Sequence, residues 1–363
     1  MSIAGYSGRL ALQQRVLPNY RVPFFDLLAE SCNATSLFAG SPRASEGILS
    51  GRPQRAKFYP AKNIHLFRGP FQLCYQRGLI EWLEAWKPDA LIAEANPRYL
   101  ATPSAVKWMH GRGRPVIGWG LGAPPLSGPL AGFRQTRRIQ FLSRFDALIA
   151  YSQRGADEYA ALGFPREKIF VAHNAVSPRP VVRPDDRPLT VDRITLLFVG
   201  RLQTRKRVNS LIRACAGLNQ NLRLVIAGDG PERKNLESLA RRIYPSTEFI
   251  GAKHGAELKP YFAEADLFVL PGTGGLAVQE AMGYGLPVIV AKGDGTQDDL
   301  VRPENGWQIA PEDYDALLAA IRDAISDLPR LRRMGNESFR IVSEEINLEA
   351  MVEVFVRVLR SVG

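Results

Sequence analysis

The sequence predicts an α/β fold of two Rossmann-like, doubly wound halves facing each other across a cleft, and three observations carry that expectation. Short continuous apolar runs such as Ile194–Val199, Leu222–Ala227 and Leu267–Leu270 have the pattern of strands buried on both faces of a parallel sheet. They alternate with amphipathic stretches of helical length, as βαβ units require. The alternation stops at VSPRPVVRPDDRPLTVD, rich in proline and charge, and restarts beyond it. With 363 residues the chain is long enough for two full cores. The expected division is residues 1–176, a linker 177–192, a second domain 193–345, and a last helix 346–363 packing back on the first domain.

In the first half the expected elements are a strand at 8–18 and a helix at 20–30, whose Pro23 is tolerated in the first turn. A strand follows at 34–38, then an irregular basic loop from 41 to 67. A helix over 72–86 ends before Pro88. A strand at 90–93, a helix at 103–111 and a strand at 115–119 lead into the loop GLGAPPLSGP. Residues 133–145 read as a helix rich in arginine. A strand at 147–151 precedes a helix capped by Ser152, and a strand at 169–172 closes the half. In the second half, strands at 194–199, 222–227, 247–250, 267–270 and 286–290 alternate with helices at 208–218, 234–242, 258–265 and 276–284. Helices at 314–326, 329–338 and 347–361 finish the chain.

Composition excludes several classes. Apolar residues make up 45% and charged residues 23%, a globular balance. No apolar run approaches the roughly 20 residues of a membrane span, and MSIAGYSGRL lacks a signal pattern, so the expected location is cytoplasmic. Cys32, Cys74 and Cys215 are scattered and predict buried free thiols. His65, His110, His173 and His254 have no metal-ligand spacing, no Asp-x-Asp ends a strand, and Asp185-Asp186 falls in the linker. No metal or cofactor is expected. Residues 1–180 hold 23 Lys+Arg against 11 Asp+Glu, net +12, whereas the remainder is close to neutral. That asymmetry points to a polyanionic partner for the first half, a glycan or an anionic membrane surface rather than nucleic acid.

The chemistry concentrates in LFVLPGTGGLAVQEAMGYGLPVIVAKGDGTQDDL, residues 267–300. A strand feeds a glycine turn and then a helix containing Glu280, which leaves unpaired amides at the carboxyl edge of a parallel sheet, an anion site by its dipole. A glycine loop that merely turns gives the same local signal, so its neighbours matter. Gly200-Arg201 ends the strand at 194–199, and Lys206 follows before the next helix. An arginine and a lysine opposite the amides near Gly275 would hold a diphosphate without a divalent metal. The GDG of Gly228 to Gly230 lacks the rest of a dinucleotide fingerprint and reads as a turn lining the cleft.

Taken together, VGRLQTRKRVNSLIRA, LVIAGDGPE, FIGAKHGAELKPYFAEADLFVLPG and GLAVQEAMGYGLPVIV resemble the donor domain of the family-4 retaining glycosyltransferases, which have the GT-B fold. The resemblance covers about residues 145–345. It implies a transferase that moves a sugar from a nucleotide diphosphate sugar to a glycan or lipid-linked acceptor held by the basic half. By the resemblance Arg201 and Lys206 bind the diphosphate, Glu280 takes the ribose hydroxyls, and Gly200, Gly274, Gly275 and Leu276 line the phosphate or sugar. Ile250 and Gly251 would lie near the base. Two positions depart from the family pattern: Gly272 stands where a glutamate usually contacts the sugar, and Leu121 stands where a histidine is common. Rival readings are a GT-B epimerase or hydrolase, or a nucleotide-sugar-binding protein without turnover.

Overall fold

The computed structural model describes residues 5–67, 69, 72–184, 186–218, 220–293 and 295–363. It divides into two compact units, Met1–Val176 with Leu348–Gly363, and Ser177–Asn347. Asp185 lies outside the described residues.

The first unit is built on an eight-stranded sheet. Its strands are β1 (Tyr6–Val16), β2 (Cys32–Gly40), β3 (Lys57–Leu66), β4 (Leu73–Arg77), β5 (Ala90–Glu94), β6 (Val116–Gly120), β7 (Ala147–Ala150) and β8 (Ile169–Val171). The order is β4-β3-β2-β1-β5-β6-β7-β8, parallel except for the antiparallel β3–β4 pair. Five helices belong to the crossovers: α1 (Val22–Glu30), α2 (Leu79–Trp86), α3 (Thr102–His110), α4 (Ala131–Leu142) and α5 (Gln153–Ala161). Pro23 sits in the first turn of α1, and Ser152 caps α5 by accepting from the Gly155 amide at 3.1 Å.

Two expectations fail here. The stretch 41–67 is not all loop, because β3 occupies its second half and pairs in parallel with β2. Its alternating exposure and its Pro60 obscure it, since a strand near the sheet edge buries one face only. The expected helix at 72–86 is instead β4 followed by α2. Gly78, at φ +91°, makes the break in a left-handed conformation that an L side chain would resist.

The second unit is a six-stranded parallel sheet: β9 (Ile194–Val199), β10 (Leu222–Ala227), β11 (Thr247–Gly251), β12 (Leu267–Leu270), β13 (Val288–Ala291) and β14 (Gly306–Ile309), ordered β11-β10-β9-β12-β13-β14. It carries α6 (Val208–Gly217), α7 (Arg233–Ile243), α8 (Lys259–Glu264), α9 (Ala277–Gly283), α10 (Thr296–Leu300), α11 (Tyr314–Ser326) and α12 (Leu328–Arg340). Among the described strands and α-helices of this unit, α10 and β14 went unforeseen, being short and flanked by Gly, Asp and Pro. The buried ion pair Arg332–Asp266, at 2.7 Å, ties α12 to the residue preceding β12. Arg187 donates to the carbonyls of Phe262 and Tyr284 at 2.8 and 3.0 Å, fastening the proline-rich segment to this unit.

The last helix, α13 (Leu348–Val362), packs in the first unit against α1 and β1. Phe355 lies 4.9 Å from Phe24 and 5.0 Å from Trp119, ring centre to ring centre, in edge-to-face contacts at the heart of that core. Cys74 and Cys215 are buried free thiols, while Cys32 is half-buried. Among the described residues, no helix is long and apolar enough to cross a membrane.

Candidate active site

Strand order reverses between β9 and β12, so the connections leave a crevice at the carboxyl ends of those strands, where open α/β sheets bind ligands. A cavity of about 830 Å³ occupies it. Gly200 and Arg201 enter from the end of β9, Gly228 to Gly230 from the end of β10, and Gly274, Gly275, Leu276 and Glu280 from the turn and helix after β12.

Close backbone packing makes these loops one piece. A Cβ on Gly228 would stand 1.9 Å from the Gly200 carbonyl oxygen, and one on Gly230 would stand 2.3 Å from that of Leu202. Hydrogen bonds cross the same seam, from the Gly200 amide to the Ala227 carbonyl at 3.0 Å and from the Leu202 amide to that of Asp229 at 2.8 Å. The GDG segment is therefore the side wall of the cavity as well as a turn.

Lys206 is the most constrained cation in this wall. It ends a single helical turn, Thr204–Lys206, and is 6% exposed. Its Nζ donates to the Thr273 carbonyl at 2.9 Å and to that of Gly274. The Thr273 amide returns a bond to the Arg205 carbonyl at 3.2 Å, so the lysine turn and the glycine turn brace each other. Burial, followed by the Arg205 charge, pulls the Lys206 ammonium down to about 8. No carboxylate pairs with it among the described residues. Such an ammonium is held charged at a cost that an incoming anion would relieve.

Arg201 is exposed on the cavity wall and has neither ion pair nor hydrogen bond among the described residues. Glu280, on α9, is half-buried, and burial raises its carboxyl above the usual range. No arginine pairs with it among the described residues, which removes the structural explanation for a glutamate on this helix. It also faces a second space of about 410 Å³, walled by Pro178, Pro180 and Tyr284. The cavity thus combines three cations without carboxylate partners among the described residues, Arg201, Arg205 and Lys206, with the Glu280 carboxylate and a glycine-lined floor.

Gly200, Arg201, Lys206, Gly274, Gly275, Leu276 and Glu280 come together as expected from sequence, but Ile250 and Gly251 do not line the cavity. In β11 Phe249 pairs with Ile226 and Gly251 with Ala227, so Ile250 is an extra residue in a bulge. The bulge moves the rim onward to Ala252, Lys253, His254 and Gly255, with Leu258 behind. His254, one of the four histidines without metal-ligand spacing, lies on this rim. Gly272 is also clarified: its φ is not left-handed, yet a Cβ there would lie 2.1 Å from the Arg205 carbonyl oxygen and 2.4 Å from the Lys206 Cα. Glycine is required by contact with the lysine turn. Leu121, beyond β6 in the first unit, is half exposed.

Comparison with known proteins decides the family. Residues 184–340 match the model of glycosyl transferases group 1, and residues 35–175 match that of the glycosyl transferase 4-like domain. The chain belongs to the group 1 glycosyltransferases. It is 26% identical over 309 residues to the lipopolysaccharide core biosynthesis glycosyltransferase LpsE of Rhizobium meliloti, covering 79% of this chain and 90% of that one. Among solved structures, the lipopolysaccharide outer core galactosyltransferase WaaB in apo form matches with TM-score 0.68 at 16% identity, covering 97% of this chain and 99% of that one. Anabaena Alr3699/HepE in complex with UDP matches with TM-score 0.69 at 18% identity, over 97% and 99%. These likenesses establish the GT-B fold, and the family makes this glycosyltransferase an enzyme of sugar transfer.

Proposed function

We propose that this glycosyltransferase moves a hexosyl group from a nucleotide diphosphate sugar to a glycan or lipid-linked acceptor, with retention and without a metal ion. The observation that carries the reading is the pair Arg201 and Lys206, neither matched by a carboxylate among the described residues, beside Glu280 in one cavity. Arg201 and Lys206 take the diphosphate and stabilise its charge as the glycosidic bond to the leaving group breaks. Glu280 accepts from the vicinal ribose hydroxyls, and the main chain of Gly274, Gly275 and Leu276 meets the phosphate or the sugar. Attack from the leaving-group side needs no protein nucleophile, so catalysis rests on positioning and charge. The UDP held by the Anabaena neighbour and the lipopolysaccharide role in the name of the Rhizobium relative accord with this donor and acceptor class.

A panel of nucleotide sugars, followed by release of free nucleoside diphosphate, tests the reading. Release should require acceptor and should survive EDTA. Activity abolished by EDTA and restored by magnesium or manganese would overturn metal independence. Equal release without acceptor would make the protein a hydrolase, and donor binding without turnover a scaffold.

The acceptor falls to the basic first unit, with the protein working at the cytoplasmic face of a membrane. Of the aromatic residues in and after α4, Phe133 is exposed, as is Leu130 before it, whereas Phe141 and Phe145 are buried. Arg137 lies over the Phe133 ring at 6.0 Å, while Arg138 donates to the Pro124 carbonyl at 2.7 Å. Arg134, Arg137 and Phe133 form the surface that would meet anionic headgroups. Flotation should show binding to acidic vesicles that weakens with salt. Equal binding to neutral vesicles would remove the electrostatic basis.

A further inference from the structure

The donor site leaves unused a second crevice, in the first unit, where strand order reverses between β1 and β5. Polar side chains are buried near it in unusual number. Gln76 donates to the Asn63 side chain and to the Gln14 carbonyl, both at 3.0 Å, and Asn63 donates to the Arg15 carbonyl at 2.8 Å. The Arg15 amide donates to Glu94, at the end of β5. Glu46 stands between two guanidiniums, 3.1 Å from Arg15 and 3.3 Å from Arg43. This network presents Arg43 at a cavity of about 500 Å³, whose other polar walls are Ser41, Lys62, Asn63 and His65.

Among the described residues, the cavity wall holds two permanent cations and no carboxylate. Arg43 spends one nitrogen, Nη2, on Glu46 and on Gln72, the latter at 2.6 Å. Two cations on one wall suit an incoming oxyanion, which each can meet with a charge-assisted hydrogen bond. Lys62 has no carboxylate partner among the described residues. Burial, then the Arg43 and Arg15 charges, lowers the His65 imidazole below its ordinary value, against a weaker pull from Glu46. Burial pushes the Glu94 carboxyl up to about 7, which lessens the negative charge behind the wall.

We propose that this cavity is an acceptor subsite for the oxyanion, carboxylate or phosphate, of an acidic glycan, with Arg43 and Lys62 as its ligands and His65 beside them. The proposal rests on the reading of the chain as a transferase that takes a glycan acceptor. It adds the acceptor's charge class and the residues that select it.

Titration of the His65 imidazole by nitrogen-15 NMR, in the full chain and assigned with His65→Gln, reads the site without donor or turnover. Inorganic phosphate or glucuronate should raise the His65 midpoint, since an anion favours the imidazolium, and glucose should not. A shift with phosphate alone assigns a phosphorylated glycan, and one with glucuronate alone a uronic acid. Arg43→Gln and Lys62→Gln should each weaken the anion at least about tenfold, as loss of a charge-assisted bond does. Lys62 is an exposed strand residue, so that variant stands even if Arg43→Gln disturbs the turn at Glu46. No shift with either anion, an equal shift with glucose, or undiminished binding in both variants overturns the proposal. A protein that binds these anions yet transfers no sugar would refute the transferase reading instead.

Discussion

Lys206→Ala lowers kcat/KM for the donor by about 30- to 10³-fold, the loss of about 2–4 kcal/mol expected when a preorganised donor to a developing anion is removed. Two effects combine in it. The diphosphate loses its most desolvated counter-charge, and the Thr273 and Gly274 carbonyls lose the ammonium that braces the glycine turn. Lys206→Met keeps much of the buried stem and separates lost charge from lost packing. A fall of less than about threefold in Lys206→Ala would remove the residue from the diphosphate site.

The pH dependence follows from the same group. With the free ammonium held down to about 8, the charged form fades as pH rises through that value, so kcat/KM should fall above pH 8 and the fall should vanish in Lys206→Met. A bound diphosphate favours the ammonium, so kcat should hold to higher pH than kcat/KM. Stability runs the other way. Between about 8 and the unfolded value of 10.5 the unfolded chain binds the extra proton, so the contribution of this group to stability rises with pH across that window. A kcat/KM profile flat to pH 9.5, well past that midpoint, would contradict the assignment.

Gly272→Glu should abolish rather than improve turnover, although glutamate is the usual family residue at this position. The new Cβ would meet main-chain atoms at 2.1 and 2.4 Å, and neither the Arg205 carbonyl nor the Lys206 Cα is the yielding end of a side chain. The lysine turn must move, carrying Lys206 off the Thr273 carbonyl. Gly272→Ala already adds that Cβ and should cost about 1–3 kcal/mol by overpacking, with donor turnover falling at least about tenfold. Glu280→Ala, by contrast, should weaken the donor without lowering the melting temperature, because no protein group is paired to that carboxylate among the described residues. Thermal melts and donor kinetics on the three variants decide it. Higher turnover in Gly272→Glu, together with little effect of Glu280→Ala, would place the ribose contact elsewhere.

Much of this protein is legible in the chain alone, for a physical reason. Strands such as β9, β10 and β12 are covered on both faces and so must be continuous apolar runs, which makes the βαβ alternation visible without any contact map. Arg201, Lys206, Gly274, Gly275 and Glu280 are legible because each sits at a fixed offset from such a strand end. Three things needed the tertiary structure. β3 and β4 are half-exposed, so their polar alternation resembles loop and helix until the pairing of Ile64 with Tyr75 is seen. The base-side rim lies beyond Gly251 because Ile250 bulges out of the ladder, a one-residue slip that composition does not record. The need for glycine at 272 and 228 arises from main chain more than 25 residues away in sequence, at Arg205–Lys206 and at Gly200. A local pattern reports how a residue is buried, whereas the neighbour that buries it is chosen only when the sheet closes.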